Sequence, residues 1–162
     1  MENALRKVRE RTSLTRALKI FSHGVSALAV AAFLYLTFVA VKASAYELIK
    51  LLVTLGVPFV ILSVVRRVIN APRPYELYDF YDIPPKNKRG SSFPSRHAHS
   101  AVAIGTVLCF YSPILGGVLL LLGCLMCCAR VLLGMHFIRD VLAGAVTGAA
   151  SSLLGALIFS LT

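Results

Sequence analysis

Residues 94–140 read PSRHAHSAVAIGTVLCFYSPILGGVLLLLGCLMCCARVLLGMHFIRD. Two apolar runs, His97–Tyr111 and Ile114–Leu133, meet at a tight Ser112-Pro113 turn. The charged residues of this stretch lie at the far ends of the runs. Arg96 opens the first, and Arg130, Arg139 and Asp140 close the second, with His97 and His136 beside them. A helix needs roughly 20 apolar residues to cross a hydrocarbon core about 30 Å thick. The second run meets that length and the first is short. The pattern predicts a helical hairpin in lipid with its polar ends on one side.

The same reading extends outward. Hydrophobic residues make up 57% of the 162 and charged residues only 15%, where a soluble domain carries about 25% charged. Further spans are expected at Phe21–Val41, at Leu48–Ile69 with Pro58 inside it, and at Arg139–Phe159. The last carries Gly144, Gly148 and Ser152 at four-residue spacing, a small-residue ridge that lets membrane helices approach closely. The expected fold is an all-α integral membrane helix bundle of about five transmembrane helices. A basic interfacial helix over residues 1–19 precedes them, with Arg6, Lys7, Arg9, Arg11, Arg16 and Lys19. The chain reads as a single domain over 1–162, with 70–96 as an active-site loop. Ala43-Ser44-Ala45 resembles a small-residue cleavage site, but the apolar run before it exceeds the roughly 7–15 residues of a signal core. That run is read as a retained span.

The net charge is +10. Because the basic residues flank apolar spans, anionic headgroups or a phosphorylated substrate fit as partners, and nucleic acid does not. Cys109, Cys124, Cys127 and Cys128 lie inside apolar runs without neighbouring His or carboxylate, and are read as small helix-packing residues. By the same reasoning His23 and His99 are incidental, and Arg67 and Arg139 are interfacial anchors.

Three polar groups fall on one face of the expected bundle: Arg66 with Arg73-Pro74, Pro94-Ser95-Arg96-His97, and Arg130 with His136 and Asp140. Ionisable residues at membrane depth are costly and mark functional sites. Arg66, Arg73 and Arg130 are permanent cations whose planar forks suit phosphate oxygens. Pro94 suits a first helical turn. The helix start after it can offer the amides of Ser95, Arg96 and His97, and the Ser95 hydroxyl, to an oxyanion. If the last helix begins by His136, Asp140 lies one turn on and can hold one ring nitrogen, leaving the other free to attack. His97 is then placed to protonate a leaving oxygen. A metal site needs several closely spaced ligands. Apart from Asp140, the carboxylates near the site are Glu76, Asp79 and Asp82 in the loop, so neither metal nor cofactor is expected.

These residues resemble the type 2 phosphatidic acid phosphatase superfamily of membrane lipid phosphatases. That family shows Lys, six residues, Arg-Pro; then Pro-Ser-Gly-His; then Ser-Arg, five residues, His, three residues, Asp. The matching stretches here are Arg66–Pro74, Pro94–His97 and Ala129–Asp140. The resemblance implies that His136 is the phosphorylated nucleophile, Asp140 its orienter and His97 the acid–base residue. It also implies that Arg66, Arg73, Ser95, Arg96 and Arg130 surround the phosphate, and that no metal is needed. Arg66 stands for the family's lysine, Arg96 for its glycine and Ala129 for its serine. The acid–base machinery is intact, so an active enzyme is expected.

The implied substrate is a lipid phosphate monoester or diphosphate: phosphatidylglycerol phosphate, phosphatidic acid, or a polyprenyl phosphate or diphosphate. One rival is a non-catalytic membrane protein that binds anionic lipid, which would need no nucleophile. The other is a soluble vanadate-dependent haloperoxidase, whose pocket resembles this family's; the five apolar spans argue against it. About 15 of the Lys and Arg residues fall on the site face, and about ten remain once the five tied to chemistry are set aside, against Lys42 and Lys50 opposite. A multi-pass protein of the cell membrane with a cytoplasmic site face is expected, whereas bacterial lipid phosphatases of this kind would favour the outer face.

Overall fold

A computed structural model describes residues 12–78 and 89–160. Its helices are α1 (Thr12–Ala43), α2 (Ala45–Ile69), the single turn α3 (Pro74–Leu77), α4 (Arg96–Tyr111), α5 (Pro113–Leu132) and α6 (Ile138–Ser160). The sequence marks the breaks. Ser44 is extended and its hydroxyl accepts from the Glu47 amide at 3.1 Å, capping α2. Ser112 ends α4, caps α5 through the Leu115 amide, and is followed by Pro113 at the first turn. Asn70 closes α2 in the left-handed conformation.

Four helices (α1, α2, α5 and α6) are long and apolar enough to cross a membrane. α4 has 16 residues, a length of about 24 Å at 1.5 Å per residue. It sits centrally, touching α1, α2, α5 and α6, and buries Ala98, Ala101, Ala103, Ile104, Val107 and Leu108. The core above it joins Leu36 of α1, Leu51 and Leu55 of α2 and Leu119 of α5. Large apolar side chains such as Val60, Ile61, Leu121, Val146 and Leu154 face outward. An apolar exterior over a small-residue interior is the arrangement lipid favours. The α6 ridge turns toward α4. A Cβ on Gly144 would collide with the Ser95 carbonyl oxygen, so only glycine permits that approach. Ser152 donates to the Ala103 carbonyl at 3.0 Å.

Three sequence expectations are revised. Residues 12–19 are not a separate surface helix; they are the first turns of α1, continuous with the span, while residues 1–11 lie outside the described residues. Cys124 and Cys128 are exposed on α5, because an apolar run does not say which of its faces meets lipid. Pro94 precedes the N-cap Ser95 instead of occupying the first turn of α4.

Candidate active site

The site forms where the polar ends of α2, α4, α5 and α6 meet. The two described ends of the 70–96 loop are stitched together beside it. The Glu76 carboxylate accepts from the Arg73 amide at 3.3 Å and the Gly90 amide at 2.7 Å. Arg73 Nε donates to the Gly90 carbonyl at 3.1 Å. The Asn70 side chain accepts from the Ser91 amide at 3.1 Å, and the Ser92 amide donates to the Ala71 carbonyl at 2.8 Å. The middle of the loop, including Asp79 and Asp82, lies outside the described residues.

Arg66, in the last turn of α2, is buried and donates Nη1 to the Pro94 carbonyl at 2.8 Å, with the Ser92 carbonyl at 3.4 Å. Both contacts use Nη1, so the other guanidinium nitrogens remain for a phosphate oxygen. Arg130, in the last turn of α5, is 4% exposed and its Nε has no hydrogen-bond partner among the described residues. A buried guanidinium left open is costly unless a ligand meets it.

Beyond Arg130 the chain reverses. The Met135 amide donates to the Arg130 carbonyl at 3.0 Å, and Gly134 adopts φ 65°, a left-handed conformation suited to glycine. This turn delivers His136 into the interior, 2% exposed. α6 begins at Ile138, so His136 precedes the helix and does not share its face with Asp140 as the sequence spacing suggested. The two still meet. His136 Nδ1 lies 3.7 Å from Asp140 Oδ2, and that oxygen accepts from the Phe137 amide at 3.0 Å. The other oxygen lies 3.6 Å from Nε of Arg139, whose side chain is largely exposed.

The N-terminus of α4 closes the site. The Ser95 amide donates to the Asp140 carbonyl at 2.9 Å, and the Ser95 hydroxyl caps the Ala98 amide at 3.4 Å. The Ser95 amide is therefore already engaged. The amides of Arg96 and His97, at the first two helical positions, have no intrahelical acceptor. His97 is half-buried and Arg96 exposed. His97 lies within electrostatic reach of Arg130, His136, Arg96 and Arg66, and His136 within reach of Arg73, Arg66 and Arg130. All eight residues singled out from the sequence thus converge on one end of the bundle.

Sequence reasoning missed Ser92. It is fully buried, its hydroxyl 2.5 Å from Asp140 Oδ2 and 3.4 Å from His136 Nδ1. Nothing in its spacing marks it, because the contact is made only when the loop folds over α6. His99 is also buried, with Nδ1 3.2 Å from the Thr147 hydroxyl.

His136 lies in the connection between spans. Burial pushes its imidazole below the ordinary 6.5; the Asp140 carboxylate opposes this, and the charges of Arg73, Arg66 and Arg130 reinforce it. The balance favours the neutral ring. Among the described residues no group of three or more His, Cys, Asp or Glu is arranged to hold a metal ion. A cavity of about 480 Å³ opens beside Arg96 and His97, walled by Ala29, Val30, Phe33, Leu55, Phe59 and Ile104 of α1, α2 and α4.

The family model of the PAP2 superfamily matches residues 47–161. The LpxE of Aquifex aeolicus shares the fold, with a TM-score of 0.71, 22% identity, and coverage of 94% of this chain and 92% of that one. A transmembrane PAP2-type phosphatidylglycerolphosphate phosphatase from Bacillus subtilis does so too, with a TM-score of 0.66, 21% identity, and coverage of 98% and 86%. No curated protein matches the chain.

Proposed function

The chain belongs to the PAP2 superfamily, and from that premise we propose that it is a single-domain membrane lipid phosphatase working through a phosphohistidine at His136. The observation that carries the reading is convergence: a buried imidazole backed by a carboxylate, within reach of Arg66, Arg73 and Arg130, with a second imidazole at His97. Binding anionic lipid would need the cations alone.

The chemistry follows from these groups. The guanidiniums and the free amides of Arg96 and His97 bind the phosphoryl oxygens and stabilise the charge they carry in the transition state. The His136 lone pair forms a bond to phosphorus as the bond to the lipid oxygen breaks. Burial and the nearby Arg130, His136, Arg96 and Arg66 disfavour a charged His97; the negative charge of the bound phosphate offsets them, so that His97 enters the step protonated and gives the lipid oxygen its proton. His97, now neutral, takes a proton from water, whose oxygen attacks phosphorus, breaks the P–N bond and releases phosphate. No step requires a metal.

The apolar cavity beside His97 supports a substrate with a hydrocarbon tail. Phosphatidylglycerol phosphate, phosphatidic acid, and polyprenyl phosphates or diphosphates satisfy that requirement. The test is phosphate release from a panel of these lipids in detergent. Activity is expected to persist in chelator and to vanish in His136→Ala. Release that collapses on adding chelator rejects the metal-free mechanism, and an active His136→Ala rejects the nucleophile. The excess of Lys and Arg on the site face supports a cytoplasmic site in the cell membrane. Labelling of an Arg89→Cys variant, in a background free of native cysteines, by an impermeant reagent added outside cells would reverse that orientation.

A further inference from the structure

We infer that Ser92 is a positioning residue for the nucleophile: its hydroxyl couples Asp140 to His136 and fixes which ring nitrogen attacks. This rests on the reading of His136 as the attacking group.

Asp140 Oδ2 and His136 Nδ1 are 3.7 Å apart, past the separation of about 3.6 Å at which a side-chain hydrogen bond is lost. The Ser92 oxygen is nearer to both, at 2.5 Å and 3.4 Å. A hydroxyl has one proton, and an ionised carboxylate can only accept. The Ser92 proton therefore goes to Asp140 Oδ2, and the serine oxygen presents only lone pairs to the ring. Nδ1 must then be the protonated nitrogen, and Nε2 carries the lone pair that attacks. With Oδ2 also held by the Phe137 amide at 3.0 Å, the carboxylate cannot swing freely to replace the serine.

The backbone around Ser92 is fixed on both sides. Its amide donates to the Ala71 carbonyl at 2.8 Å, and Arg66 Nη1 lies 3.4 Å from its own carbonyl and 2.8 Å from that of Pro94. One arginine thus braces the segment that aims the serine. Ser92 is fully buried, so water cannot readily stand in for its hydroxyl.

The experiment compares Ser92→Ala, Ser92→Thr and His136→Ala with the wild type on one lipid phosphate, and records the nitrogen-15 spectrum of labelled histidine in wild type and Ser92→Ala. At metal sites, loss of the group that orients a ligating histidine costs about 10–100-fold, and a loss of that order is expected for an orienting serine here. Ser92→Ala is expected to lose that much in kcat with KM nearly unchanged, and Ser92→Thr, which keeps the hydroxyl, to recover most of it. The wild-type His136 signal should show Nδ1 protonated and Nε2 bare, with the two forms mixed in Ser92→Ala. Wild-type kcat in Ser92→Ala, or a wild-type ring protonated at Nε2, overturns the proposal. If the alanine variant does not fold, a wild-type ring protonated at Nε2 still overturns the proposal. An active His136→Ala would fell the parent reading instead, and an inactive one beside a fully active Ser92→Ala would fell only this inference.

Discussion

His136 and His99 are both shut away from solvent, and each turns Nδ1 toward a hydroxyl. They differ in what stands behind that hydroxyl. Ser92 gives its proton to the Asp140 carboxylate, and the ring in front of it feels Arg73, Arg66 and Arg130. Thr147 lies 2.8 Å from the Ala143 carbonyl and 2.9 Å from that of Gly144, so its proton stays within its own helix. The neighbour on the other side of His99 is the Phe59 ring, with centroids 6.4 Å apart. Burial and one hydrogen bond therefore do not make an imidazole reactive. On the proposed reading, the carboxylate behind His136 and the cations before it are what set that ring apart.

The contrast breaks or sharpens under substitution. His136→Ala should lower kcat by about 10⁴-fold or more, as loss of a covalent nucleophile does; phosphate release in detergent measures it. Comparable loss in His99→Leu would abolish the distinction. His97→Ala should cost about 10²–10⁴-fold on a lipid alkoxide, the usual contribution of a general acid. The loss should shrink on an aryl phosphate, whose leaving oxygen needs no proton. Equal losses on both would remove His97 from the proton transfer.

The pH dependence is subtler. Burial and the arginines disfavour the imidazolium of His136 and lower its pKa from 6.5. The acid limb of kcat/KM assigned to that ring should therefore lie below 6.5, with activity present above it and lost as pH falls through it. A limb above 6.5 would mean that Asp140 outweighs burial. The smallest effect belongs to His99→Leu. A hydrogen bond between membrane helices averages about 0.6 kcal/mol, so thermal stability should fall by that order while kcat holds.

Much of this was legible in the chain. The Ser112-Pro113 break and the charges held at the run ends announce a hairpin in lipid, and the three spaced polar groups announce one site. What was not legible depends on tertiary geometry. The Gly134 turn starts α6 at Ile138, two residues beyond His136, so helical spacing could not say how Asp140 reaches the ring. Ser92 joins the site only because Asn70, Ala71 and Arg66 fasten its segment over α6. The exposure of Cys124 and Cys128 depends on which face of α5 the other helices leave open.

The most direct test is the stereochemistry at phosphorus, with a lipid phosphate made chiral by oxygen isotopes and sulfur and hydrolysed in labelled water. Attack by His136 followed by attack by water inverts the centre twice, so the account predicts net retention. Net inversion would mean that water displaces the lipid directly and that His136 never bonds to phosphorus.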